Sequence, residues 1–352
     1  MRYIGNKENL LERIASKFNK FGIHGNSFFD FFAGTTNVGR FFKERNYTVS
    51  SCDLLYLSYC LQKAYIENND EPQFKKVLPY IRPINTVLCA TPLEKIVAYL
   101  NEIKDVFGFI SQNYTPLGTK HLTQPRMYFS EENGLRIDAI RQKIEEWKNL
   151  QLINETEYYI LLACLIESVS FYANVAGVYG AFYKKWDPRA IKRFMLRPIK
   201  IYNNNLPNEV FYTDSLNLVK IINTDILYLD PPYNARQYLP NYHLLETIAR
   251  YDSPTIKGVT GMRQYKKEKS TFCNAATAIR DLEYVAANAN YNYLVLSYNS
   301  EGIMPTELIL STLGKYGTVI LEEMEYLRFK SNNKGLSSTK KHIQEQLFIL
   351  RR

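Results

Sequence analysis

Cysteine is scarce in this chain: five in 352 residues, at Cys52, Cys60, Cys89, Cys164 and Cys273, with no CxxC pair. An odd, dispersed set argues against a disulfide framework and against a zinc module, and leaves small buried apolar residues as their reading. Histidine is scarcer, with four scattered residues, so no metal site is implied. No uninterrupted apolar run is long enough to span a bilayer. The opening Met1-Arg2-Tyr3-Ile4-Gly5-Asn6-Lys7 leads into no signal-like apolar stretch, and a cytosolic protein is expected. No internal repeat or long low-complexity segment is visible either.

What is present is an ordinary globular balance, 46% hydrophobic and 22% charged, with length enough for one large domain and a smaller inserted one. The formal net charge is +9, which suits a polyanionic partner. Tyrosine and phenylalanine are frequent, 28 and 19. In a basic chain these rings fit base stacking, although core packing accounts for most of them.

Leu10, Leu11, Ile14 and Phe18 recur at helical spacing and predict a helix from about Lys7 to Lys20. Phe28 to Phe32 reads as a buried strand, residues 33–39 as a loop entering a helix, and Tyr47 to Cys52 as a second strand ending at Asp53. Strand, loop, helix, strand and acid together open a doubly wound α/β fold. Residues 74–200 lack strand alternation and read as a mostly helical insertion with a basic end from Trp186 to Lys200. Strands return at 209–213, 225–229 and 293–298, followed by an antiparallel pair at 319–329 and 344–350. The segments 257–270 and 330–341 read as mobile surface loops. The expected domains are therefore 1–72 with 205–352 around a mostly parallel seven-stranded sheet, and an inserted helical domain of 73–204.

The chemistry centres on Asp225-Ile226-Leu227-Tyr228-Leu229-Asp230-Pro231-Pro232-Tyr233. An apolar strand ends in an acid, and two prolines stop it. Ligands in open α/β sheets bind beyond the carboxyl ends of strands. This segment puts a carboxylate, a rigid backbone carbonyl without a competing N–H, and an aromatic ring there. An exocyclic amino group on a nucleobase needs such acceptors, because its lone pair is delocalised into the ring. Asp230 and the Pro231 carbonyl can each take one amino hydrogen, and Tyr233 can stack on an extruded base. The plain alternative is a strand-ending turn with a solvent-facing tyrosine.

A second constellation is Asp30-Phe31-Phe32-Ala33-Gly34-Thr35-Thr36-Asn37-Val38-Gly39. Its glycines allow close approach to a ligand, but it is not GxGxxG, so an uncharged nucleoside suits it better than a pyrophosphate. Asp53, at a strand end about twenty residues on, is placed to accept from ribose hydroxyls. Asp214 follows another strand and reads equally as an adenine-facing acceptor or as a helix N-cap.

These residues resemble the D12-class, or alpha-group, N6-adenine-specific DNA methyltransferases of type II restriction-modification systems, over nearly the whole chain. Arg2 to Lys7 is similar to that group's N-terminal cofactor motif, Asp30 to Gly39 to its glycine loop, and Asp230 to Tyr233 to its catalytic tetrapeptide. Further likenesses are Asn234 to Thr247, Ser297 to Gly302, and the late hairpin from Tyr326 to Ser331. The resemblance implies a Rossmann-like fold with S-adenosyl-L-methionine as cofactor, S-adenosyl-L-homocysteine as product and no metal. It implies Tyr3, Lys7, Asp30, Phe32, Gly34, Asp53, Asp214 and Asp230 at the cofactor, and Asp230, Pro231, Pro232 and Tyr233 in catalysis. Lys7 suits the methionine carboxylate as a point charge. The insertion becomes a target-recognition domain. The partners implied are double-stranded DNA and a restriction endonuclease, for a monomer working at the nucleoid of a bacterial cytoplasm. Relatives usually carry a second glycine at Thr36, often a proline at Phe31 and often tryptophan at Tyr3.

For DNA contact the basic candidates are Lys184, Lys185, Arg189, Arg193, Arg236, Lys266 and Lys267, each read against the ordinary alternative of a solvated cation. His243 reads as a packed helix residue. Rival functions are N4-cytosine methylation, which more often begins the tetrapeptide with serine, and RNA base methylation, whose enzymes usually lack the N-terminal motif and the insertion. A nucleotide-binding dehydrogenase would need a fuller glycine fingerprint. A non-catalytic DNA-binding protein would show no cofactor binding.

Overall fold

The computed structural model describes residues 7–81, 90–266, 268–327 and 342–352. Tyr3 and the rest of the first motif before Lys7, Cys89, Lys267 and residues 328–341, within which the expected loop at 330–341 falls, lie outside them. The chain forms two compact units. One comprises Ile4–Gln62, Tyr202–Leu239 and Lys266–Arg352. The other comprises Met1–Tyr3, Lys63–Ile201 and Pro240–Tyr265, so it takes in a late stretch that the sequence pattern leaves with the sheet.

The first unit holds a seven-stranded sheet: β1 Ser27–Asp30, β2 Thr48–Asp53, β3 Glu209–Tyr212, β4 Asn223–Leu229, β5 Asn290–Asn299, β6 Thr318–Leu327 and β7 His342–Arg351. The spatial order is β3-β2-β1-β4-β5-β7-β6. The first five strands are parallel, while β7 runs antiparallel to both of its neighbours. The order reverses between β1 and β4, which is the topological switch point where ligands bind in such sheets.

Side-chain alternation explains why both faces are covered. Phe29 on β1 packs with Leu227, Leu229, Leu294 and Leu296, against Leu282 and Val285 of the helix Ala275–Asn288 and Ile309 of the helix Thr306–Leu313. Its neighbour Phe28 points the other way. It stacks on Tyr228 at 5.8 Å and on Phe42 of the helix Asn37–Lys43 at 4.0 Å. Phe42 in turn meets Phe18 of the helix Leu11–Lys20 at 5.4 Å. Burying each such ring contributes roughly 1.5–3 kcal/mol.

The second unit contains the helices Pro92–Glu102, Phe109–Tyr114, Glu131–Asn149 and Glu155–Tyr172. The first of these and the last begin with capping boxes, on Thr91 and on Asn154. The insertion is less helical than its pattern predicts: residues 173–208 contain no helix or strand. Pro188, Pro198 and Pro207 interrupt this stretch, and its cations leave no continuous apolar stripe. The expected loop at 257–270 also needs correction. Ile256–Lys257 pairs with Met262–Arg263 as a small ribbon, and Arg263 is buried and paired with Asp252 at 2.7 Å.

Candidate active site

β4 ends in four buried residues, Ile226 to Leu229. Asp230 follows directly, and Pro231, lacking an N–H, ends the ladder. Its neighbour in the sheet, β1, ends at Asp30, in register with Tyr228. Asp230 lies two residues beyond that register position, so both acids are at the carboxyl ends of the strands that flank the switch point, close enough for the charge of Asp230 to act on Asp30.

Asp30 is 1% exposed, and neither of its carboxylate oxygens has a hydrogen-bond partner among the described residues. Burial pushes it up to about 8, helped by the charges of Asp230 and Asp53, while the nearby amides of Phe32 and Gly39 oppose the shift without cancelling it. A buried acid so weakly served by donors is costly unless a ligand supplies better ones. The loop beyond it is shaped for close approach. Gly34 is left-handed at φ +51°, and its amide donates to Asp53 Oδ2 at 2.8 Å. Asp53 Oδ1 accepts from the Leu55 amide at 2.8 Å, so Asp53 braces the loop. Orphaned acid and braced glycine loop together fit a ligand rich in N–H and O–H donors.

Thr36 shows why a glycine suits its position. It is left-handed at φ +64° and fully buried. A β-branched residue holds that conformation at a cost of roughly 1–2 kcal/mol. Here its amide donates to the Ala33 carbonyl and its hydroxyl to the Thr35 carbonyl, both at 2.6 Å. Phe32 packs edge-on against Phe31 and Phe272. Asp214 caps the turn Ser215–Leu218, accepting from the Leu216 amide at 3.1 Å, which realises the N-cap reading; burial raises its carboxyl above the ordinary range.

Around Asp230 the side chains form a network. The Tyr233 hydroxyl donates to Asp230 Oδ1 at 2.5 Å. Lys7, itself buried, lies 3.3 Å from the same oxygen, donates to the Tyr233 hydroxyl, and pairs with Glu345 at 2.5 Å. Its ammonium also sits 4.7 Å from the centre of the Tyr233 ring. Burial pushes Asp230 up to about 6 against the pull of Lys7, with Glu345 adding to the rise. Lys7 is thus engaged by two carboxylates of the protein. Sequence reasoning missed Glu345, which sits in Gln344-Glu345-Gln346 with no motif around it. The Tyr233 ring meets Tyr298 edge-on at 5.5 Å.

The loop after the tetrapeptide is tied down. The Gln237 side chain donates to the Ser270 carbonyl at 3.0 Å and accepts from its amide at 2.8 Å. Arg236 and Lys266 are exposed in this unit, as are Lys184, Lys185 and Arg193 in the other. Arg189 is half-buried and bound to Asp187 at 2.7 Å. His243 is fully buried, with Nε2 at 2.8 Å from the Tyr179 carbonyl, and burial draws it down to about 4. Cys52, Cys60, Cys164 and Cys273 are buried. Among the described residues no helix is long and apolar enough to cross a membrane, and no group of His, Cys, Asp or Glu is arranged to hold a metal ion.

A model of the D12 class N6 adenine-specific DNA methyltransferases matches residues 3–311. Over its whole length the chain is 40% identical to the type II methyltransferase M.FokI of Planomicrobium okeanokoites, and 37% identical to the modification methylase StsI of Streptococcus sanguinis. It spans about half of each, 53% and 52%. It is also 38% identical to the type II methyltransferase M.NlaIII of Neisseria lactamica, across 99% of this chain and 100% of that protein.

Proposed function

Because this chain belongs to the D12 class of N6 adenine-specific DNA methyltransferases, we propose that it methylates N6 of adenine within a short duplex DNA sequence and protects that DNA from a partner restriction endonuclease. The observation that carries the reading is that Asp230 and the orphaned Asp30 lie at the carboxyl ends of the two neighbouring strands that flank the switch point of the sheet. S-adenosylmethionine, when bound, supplies an electrophilic methyl group. Asp30, Phe32, Gly34, Asp53, Asp214 and Lys7, with Tyr3, would hold it; the unpartnered acid and the close-approach loop support that set.

Asp230 and the Pro231 carbonyl accept the two hydrogens of the adenine amino group, so that the nitrogen lone pair is localised rather than shared with the ring. Tyr233 and Pro232 shape the pocket for the flipped base. Catalysis is then positioning plus fixed acceptors. Asp230 needs no strong basicity, since the amino proton becomes acidic only once the nitrogen has gained positive charge. The unit built mainly from residues 63–201 is the proposed reader of base sequence, with Lys184, Lys185, Arg189 and Arg193 on phosphates, while Arg236 and Lys266 grip the backbone beside the site. A monomer suffices for this chemistry.

The test is to sequence methylated adenines in DNA from cells whose only methyltransferase is this protein. Methyl-adenine in one short sequence context is expected. Unmodified DNA from a folded protein, or methyl-cytosine instead, defeats the reading.

Gly302 provides a finer check. A Cβ there would lie 2.2 Å from Cε1 of Tyr298. Tyr298 has no room to yield: it is fully buried, and its hydroxyl accepts from the Met304 amide at 3.2 Å. Gly302→Ala should therefore displace the Tyr298 ring and with it Tyr233. The expected results are a loss of about 1–3 kcal/mol in denaturant unfolding and a fall in kcat larger than any change in KM for DNA. Wild-type values for both would mean that Tyr298 does not position Tyr233.

A further inference from the structure

Glu345 lies on β7 and is 2% exposed. It is in register with Asn299 of β5, which makes Ser297 its diagonal neighbour on the same face. Ser297 Oγ donates to Glu345 Oε1 at 2.6 Å. The same oxygen takes Lys7 Nζ at 2.5 Å, while Asp230 stands farther from that ammonium, at 3.3 Å. Burial favours discharging a lysine, yet Asp230 and Glu345 together carry Lys7 above its ordinary range. A buried ion pair is rarely a source of net stability, so its retention calls for another use. One ammonium between two carboxylates leaves the cluster one negative charge in excess.

Resting on the reading that Asp230 accepts from the adenine amino group, we propose that Glu345 is a positioning residue for methyl transfer: anchored by Ser297, it draws the Lys7 ammonium off Asp230 and leaves that carboxylate available as an acceptor. With Glu345 neutral, Lys7 settles on Asp230 alone. The carboxylate is then locked in a tight pair, and the excess negative charge that favours a cationic amino nitrogen is gone. The groups facing Asp230 are Lys7, Glu345, the Tyr233 and Tyr228 hydroxyls, and Asp30. Of these, Glu345 opposes its ionisation, while Lys7 and the Tyr233 hydroxyl support it.

Glu345→Gln keeps the shape and removes the charge. Single-turnover methylation should slow roughly tenfold or more with little change in KM for DNA. The acid limb of the rate profile should move to lower pH, because a negative neighbour of Asp230 has been removed. A second measurement needs neither DNA nor cofactor. With lysines 13C-labelled at Cε and Lys7 assigned through Lys7→Arg, the Lys7 titration should fall in Glu345→Gln relative to wild type. If Glu345→Gln does not fold, Ser297→Ala should shift both quantities in the same directions by smaller steps. A folded variant with an unmoved acid limb and an unmoved Lys7 titration overturns the proposal. If wild type itself makes no methyl-adenine, the parent reading has failed instead, and the Lys7 titration still decides whether Glu345 holds Lys7.

Discussion

Asp230→Ala should lower the rate of methyl transfer at least about a thousandfold, the loss expected when a fixed acceptor is removed from a pocket that excludes water. The fold should survive the change. Lys7 would still be neutralised by Glu345, 2.5 Å away, so no buried cation is left alone. Both prolines of the strand end remain, and β4 keeps its buried run. Cofactor binding by calorimetry should persist at reduced affinity, since Asp30, Asp53 and Gly34 are untouched. Asp230→Asn should be intermediate, because the amide oxygen still accepts while its NH2 faces the amino group wrongly. Activity in Asp230→Ala within tenfold of wild type would mean that the acceptor role lies elsewhere.

Asp30→Asn should make the protein more stable and unable to hold its cofactor. Folding raises this acid from its ordinary 3.8 to about 8, so the folded state binds the proton more tightly than the unfolded chain. The sign follows from linkage: the group carries no penalty below about pH 4, and it costs stability progressively as pH rises towards 8. Asparagine does not titrate, so the variant's advantage should grow across that window and level off above it. It should reach the order of a few kcal/mol near neutrality. Denaturant unfolding without ligand, at steps from pH 5 to 8, reads this directly. Parallel stability curves for the two proteins would show that Asp30 is not held above its ordinary range. A binding site that opposes its own fold is a familiar compromise.

The sequence made some of this legible and hid the rest for physical reasons. Strand ends were readable because apolar runs stop at acids and prolines: β4 ends before Asp230 and β2 at Asp53, both on the side where ligands bind. The antiparallel pair was readable from two apolar runs around a polar connection, although the connection itself lies outside the described residues. Roles that depend on distant partners were hidden. Asp53 reads as a ribose acid, and what the sequence hides is that its two oxygens also accept from Gly34 and Leu55. Lys7 reads as a point charge for a ligand carboxylate, with no sign in the sequence that two carboxylates of the protein share it. Arg189 reads as a DNA contact, and what stays hidden is that Asp187 also pairs with it. The stretch after Tyr172 reads as part of a helical insertion and is irregular instead, because prolines interrupt it and its cations leave no continuous apolar stripe.

β7 enters the sheet between β5 and β6, and among the described residues β6 pairs with no other strand. The residue it delivers, Glu345, meets Lys7 across 338 positions of sequence. Contacts of such separation form late, because a long loop must close first. A nascent chain can therefore assemble β1 to β5, with Asp30 and Asp230 already adjacent, and still lack the ion pair beside the acceptor. Catalytic competence would then lag behind the collapse of the sheet during synthesis, and a chain that stalls before β7 would present a recognisable fold to the cell without a working site.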